Sequence, residues 1–128
     1  MKSDISNLED IKILVDAFYQ RVQHDTLIGG IFLGVIQDWD KHLEKMYRFW
    51  QTLLLEEYTY SGSPFPPHAD MPINSIHFDR WLALWTSTVD FYFEGKVAEE
   101  AKWRGQKMAA VFLSKIEYFR NMDSNSLI

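Results

Sequence analysis

The chain has 128 residues, enough for one domain with a single buried core and too few for two. Its net charge of −5 argues against nucleic acid, which selects basic patches. With no cysteine, the chain makes no disulfide, zinc ribbon, iron–sulfur cluster or thiol nucleophile. Hydrophobic residues make up 47% and aromatic ones 16%, with five Trp, six Tyr and nine Phe. So many rings imply either an unusually aromatic core or an apolar surface closed around something flat. The opening Met1-Lys2-Ser3-Asp4-Ile5-Ser6 lacks the apolar stretch of a signal peptide. No window reaches the ~18 apolar residues of a membrane span. The expectation is a soluble cytoplasmic domain with an ordered core over about residues 8–120 of 1–128.

Ser6-Asn7-Leu8-Glu9 reads as a capping box opening a first helix. Ile11, Leu14, Val15, Phe18, Tyr19 and Val22 then recur at helical spacing up to about His24. Gly29-Gly30 breaks the chain before a short apolar helical turn, Ile31 to Ile36. A second long helix starts near Asp38 with Leu43, Met46, Tyr47, Trp50, Leu53 and Leu54 on one side. All four prolines and Gly62 fall between Tyr58 and Pro72, which forbids an ordinary long helix there. A third helix begins at Asn74 or Ser75, carries Phe78, Trp81, Leu82, Trp85, Val89 and Phe93, and ends at Gly95 as C-cap. The fourth, Val97 to Arg120, carries Ala101, Met108, Val111, Phe112, Ile116 and Phe119; Asn121 to Ile128 reads as a frayed tail. Nothing reads as a strand, a repeat or a coiled coil, so the fold class is all-α.

Four histidines are the strongest metal-ligand candidates, and no His-Glu-x-x-His or Glu-x-x-His motif is present. His24, beside Asp25 at a helix end, reads as a surface residue, and His77 as a surface or packing residue. His68 follows Pro66-Pro67 in the segment that cannot be a long helix. A stiff linker suits an imidazole that must be held at a fixed angle to a haem, although a solvated loop histidine has the same sequence. His42 lies one turn before Met46 on the same face, as a ligand-facing or a half-buried boundary residue. Tyr19, Trp81 and Trp85 are core residues unless a polar partner claims them.

Taken in order, Phe18-Tyr19, Gly29-Gly30-Ile31-Phe32, His42 before Lys45-Met46, Phe49-Trp50, His68-Ala69-Asp70-Met71-Pro72 and His77-Phe78-Asp79-Arg80-Trp81-Leu82 resemble the third group of truncated haemoglobins. The likeness runs from about residue 8 to residue 120, and His68 through Trp85 is its most specific part. It implies a two-over-two helical sandwich with a loop in place of the long proximal helix. It also implies haem b, with His68 as proximal iron ligand and Phe32 stacked on the haem. Tyr19, His42 and Trp81 would face the bound gas, with Met46 one turn beyond His42 and Lys45 reaching a propionate. Phe78, Leu82, Met108 and Phe112 would complete the pocket. Gly30 departs from a frequent Gly-Pro, and Met46 is larger and softer than the Ile or Leu expected there.

The implied partners are O₂, NO and CO, with a reductase as a further possibility and neither nucleic acid nor membrane. The implied role is ligand trapping or NO and O₂ redox chemistry rather than O₂ transport. A haem peroxidase, an NO dioxygenase and a haem-free helical binding or scaffold module are the alternatives. Asp70 leaves open whether the other nitrogen of His68 meets a carboxylate.

Overall fold

A computed structural model describes residues 1–69 and 71–126. Helix α1 (Leu8–Gln23) starts one residue later than the capping box suggests. Asn7 is the N-cap, its side chain accepting from the Asp10 N–H, while the Asp10 carboxylate reaches back to the Ser6 N–H at 2.9 Å. Only the forward half of a capping box forms at the N-cap; the return bond goes to Ser6, the residue before it. The short α2 (Gly29–Val35) follows, then α3 (Trp39–Leu55), capped by the Asp38 side chain. The proline segment contributes one 3₁₀ turn, Pro66–His68. Helix α4 runs Ser75–Tyr92 and α5 Lys96–Ser126. No strand occurs among the described residues.

The helices form two pairs, α1 with α3 and α4 with α5, joined mainly where α1 packs on α4. Every apolar position expected inside from α1 is buried. At the centre lies Trp85, with no exposed surface. It stacks on Trp50 at 4.3 Å, meets Phe18 edge-on at 5.1 Å and donates from Nε1 to the Ala101 carbonyl at 2.9 Å. One ring therefore touches α1, α3 and α5 from its place on α4. Gly105 makes room for it: a Cβ there would stand 2.6 Å from Trp85 Cδ1.

Three expectations are corrected. Gly95 does not cap α4, which closes with the Phe93 N–H on the Val89 carbonyl. Gly95 instead has φ +135° at the entrance to α5, where a Cβ would strike the Asp4 carboxylate. Asp4 accepts from the Val97 and Ala98 N–H groups at 2.9 Å each, so a residue from before α1 caps the last helix. Phe119 is exposed because α5 outlasts α4, whereas Val111 is exposed because at 100° per residue it is turned away from the buried Phe112 and Ile116 on the same helix. Phe119 finds a partial partner in Phe65, stacked at 6.2 Å. The tail also stays helical through Ser126, having neither Gly nor Pro to stop it, whereas Leu127 and Ile128 lie outside the described residues. Among the described residues no helix is long and apolar enough to cross a membrane.

Gly105→Ala is expected to lower stability by about 1–3 kcal/mol through overpacking against Trp85. A urea midpoint equal to or above that of the parent protein would contradict the tight approach.

Candidate functional site

Between the helical pairs lies a cavity of about 670 Å³, within the range of cofactor sites. Tyr19 of α1, Phe32 of α2, His42, Lys45 and Met46 of α3, and Phe78 and Trp81 of α4 line it. Met108 and Phe112 of α5 and His68 of the 3₁₀ turn close it. Ten of the eleven side chains singled out from the sequence thus meet at one space. Leu82 does not: one residue beyond Trp81 on α4 it is rotated by ~100° and half-buried elsewhere.

His68 is placed by its prolines. Pro66 occupies the first position of the 3₁₀ turn, where its missing N–H is not needed, and the His68 N–H closes the turn on the Phe65 carbonyl at 2.7 Å. The imidazole Nδ1 lies 2.7 Å from the Pro64 carbonyl oxygen. A carbonyl only accepts, so Nδ1 carries the proton and Nε2 keeps its lone pair. Burial pushes the pKa of His68 down, against the opposing effect of that carbonyl, so the ring favours the neutral form a metal needs. Phe112 holds the ring at 5.0 Å. Asp70 lies outside the described residues, and the Nδ1 position it was a candidate for is filled by Pro64.

His42 sits in the first turn of α3, set there by the Asp38 cap. Tyr19 and Trp39 meet its ring edge-on at 5.0 and 5.8 Å. Its Nε2 is the one buried side-chain nitrogen or oxygen without a hydrogen-bond partner among the described residues. Burial first, then the charges of Lys45 and His68, bring its pKa down to about 4, so it is neutral near pH 7. Burial likewise pushes the Tyr19 phenol upward, keeping it a protonated donor.

The two tryptophans of α4 differ in the same way. Trp85 Nε1 is committed to a backbone carbonyl, whereas Trp81 makes no Nε1 hydrogen bond among the described residues while lining the cavity.

Several lining residues were not singled out from the sequence. Ile28, Ile31, Met71 and Ile73 add apolar wall, and Lys41 and Arg48 add charge. Lys41 and Lys45 are exposed one turn apart on α3, while Arg48 is paired with Glu44 at 2.8 Å. The four-residue Lys spacing was the available signal for a cationic rim. His77 also reaches the cavity, with its Nδ1 accepting from the Asn74 N–H at 3.0 Å as a helix cap. His24 is exposed on the Gln20 carbonyl and belongs to no site.

An apolar cavity with a cationic rim, one buried unpartnered imidazole nitrogen and one imidazole with its lone pair free fits a flat apolar macrocycle bearing two carboxylates and a metal. The family profile of the bacterial-like globins matches residues 4–112. The chain is 31% identical over 117 residues to the group 3 truncated haemoglobin of Campylobacter jejuni, covering 88% of this chain and 92% of that one. The crystal structure of a group III truncated haemoglobin from Campylobacter jejuni superposes with a TM-score of 0.81 at 30% identity, over 91% of this chain and 95% of the other. A truncated haemoglobin from Tetrahymena pyriformis shares the fold at a TM-score of 0.66 and 20% identity, over 82% and 89% of the two chains. This chain therefore belongs to the bacterial-like globin family and, within it, to the third group of truncated haemoglobins, proteins that bind diatomic gases at a haem.

Proposed function

We propose that this globin holds haem b through His68 and uses Tyr19, Trp81 and His42 to retain a gas ligand, for trapping or for NO and O₂ redox chemistry rather than O₂ transport. The observation that carries the reading is the hydrogen bond from His68 Nδ1 to the Pro64 carbonyl, which leaves a neutral Nε2 lone pair on a cavity-lining ring. The absence of cysteine excludes thioether attachment, which supports the non-covalent b-type cofactor. Haem, when bound, supplies an iron that takes a diatomic gas or turns it over by redox chemistry.

The chain supplies the rest. Phe32, Phe78, Met108 and Phe112 offer the apolar wall for the macrocycle, and Lys41 and Lys45 offer cations for its carboxylates. Tyr19 Oη–H and Trp81 Nε1–H are donors with no competing partner among the described residues. A hydrogen bond to a charged acceptor contributes roughly 1.5–3 kcal/mol. At ~1.4 kcal/mol per factor of ten, each donor slows release of a polar gas by roughly ten- to a hundredfold. Slow release suits trapping or chemistry and opposes transport. A carbonyl at Nδ1, in place of a carboxylate, makes His68 the weaker electron donor, which favours gas binding over peroxide cleavage. Turnover of NO would need an electron donor, and a separate reductase fits that requirement.

His68→Ala is expected to lose the ferrous and CO-bound spectra of a histidine-ligated haem, with free imidazole restoring them. An unchanged spectrum would assign the iron to another residue. Tyr19→Phe and Trp81→Phe are each expected to speed O₂ dissociation by about tenfold or more, the loss of one such donor. Stopped-flow release rates equal to the parent's in both variants would remove both side chains from the gas site.

A further inference from the structure

We infer that the late turns of α5 are a clamp on the proximal segment, with Arg120 as a positioning residue for His68. The inference rests on the haem reading above and deepens it. Its starting point is where the hydrogen bonds of residues 64–73 go. The His68 N–H bonds to the Phe65 carbonyl at 2.7 Å, the Met71 N–H to the His68 carbonyl at 3.2 Å and the Ile73 N–H to the Met71 carbonyl at 2.9 Å. The tether from His68 Nδ1 to the Pro64 carbonyl is local as well. Such bonds set the shape of the segment and leave its place against the helices free.

Among the described residues, the hydrogen bonds that tie this segment to another element come from Arg120. Its Nη2 donates to the Met71 carbonyl at 3.1 Å and to the Ile73 carbonyl at 2.5 Å. The two carbonyls flank Pro72, in a tight turn closed by the Ile73 N–H. A charged donor makes these bonds stronger than neutral ones. On the other side of His68, Phe65 is held by the same helix. Phe112 meets it edge-on at 5.4 Å, Phe119 stacks on it at 6.2 Å, and the Lys115 ammonium lies 4.9 Å from its ring centre. The His68 ring rests on Phe112 at 5.0 Å. Both flanks of the proximal histidine are thus fastened to α5.

A long helix would fix a histidine through its own backbone ladder, but the prolines forbid one here. A metal site needs its ligand within about 10–20° of the productive angle, which a segment bonded only to itself does not ensure. The clamp supplies that restraint from outside. It also gives the overhang of α5 a use. The helix continues through Ser126, so Arg120 lies more than a turn inside its end and away from the fraying last residues.

The experiment compares the parent protein with Arg120→Ala and Arg120→Lys by two measurements. One is amide hydrogen exchange, followed by nuclear magnetic resonance on the ferrous CO-bound holoprotein; the other is resonance Raman spectroscopy of the gas-free ferrous form. In Arg120→Ala, exchange at His68, Ala69 and Ile73 is expected to be faster by about tenfold, the loss of one such hydrogen bond, with α1 unchanged. The iron–histidine stretching band of the same variant should broaden, as the ring samples more than one angle. Arg120→Lys should restore both, because Nζ is also a single nitrogen with several N–H donors. A parent-like band in Arg120→Ala, or parent-like exchange in the segment, would overturn the proposal. So would a rise in exchange that is equal in α1 and in the segment, which marks a loss of global stability alone. The CO spectrum separates the two readings. If the parent shows one that depends on His68 while band and segment ignore Arg120, the clamp alone fails; if it shows none, the haem assignment fails and takes the clamp's role with it.

Discussion

Trp85 is where the two helical pairs are locked together, and the two tryptophans it stacks on, Trp50 and Trp81, line the cavity. The indole stacks on α3, meets α1 edge-on, hydrogen-bonds to α5 and fits only because α5 has a glycine opposite it. Rings at these distances add to the burial of their own area, and the partner of a buried indole N–H offsets its desolvation. One turn earlier on α4, Trp81 lies 6.1 Å from Trp85 and nearly parallel to it. Trp81 is thus the boundary: it extends the stack of Trp85 and also lines the cavity.

Neighbours, more than residue type, decide what each polar ring does here. Trp85 and Trp81 share a helix face, yet one N–H is used up by backbone and the other is available. The histidines divide likewise. His24 and His77 bond to backbone at helix ends, where the chain has groups to satisfy. His68 bonds to backbone with one nitrogen and keeps the other. His42 is packed by aromatic edges that offer its Nε2 nothing. A residue count would give four equivalent imidazoles; the hydrogen bonds separate them into two caps, one tethered base and one unpartnered base.

The helices were legible because apolar spacing and caps are local. Ile11, Leu14, Val15, Phe18 and Val22 follow a 3.6-residue period, and each proved buried. What failed was non-local. Gly95 looks like a C-cap in sequence, and only the fold brings Asp4 from 91 residues away to make it the entrance of α5. Phe119 sits in phase with the buried Phe112 and Ile116, but phase does not reveal where α4 stops covering α5. At the site, the prolines before His68 signalled a fixed ring, and the resemblance supplied its role. No local pattern could show that the Pro64 carbonyl would accept the hydrogen bond of Nδ1, because a four-residue reach in an irregular segment depends on the turn that closes it. Lys41 was readable from its spacing to Lys45. Ile28, Met71 and Ile73 were not, since apolar residues beside breaks look alike whether they face a core or a cavity.

The rim shows how a local charge prevails over the overall one. A chain of net charge −5 repels an anion at long range, and a macrocycle with two carboxylates is an anion. At physiological ionic strength that repulsion is screened beyond about 8 Å, so only charges near the mouth act on an arriving ligand. Lys41 and Lys45 are exposed at the mouth, one turn apart, and neither has a salt bridge among the described residues, while Arg48 is held by Glu44. Glu44 and Asp38 also border the opening, but Glu44 is engaged with Arg48 and Asp38 accepts from the α3 N-terminus. Their charges are partly compensated where they stand, and the lysine charges are not. The mouth is therefore positive in an otherwise acidic protein, and the apolar wall behind it gives the uncharged face of the same ligand its place.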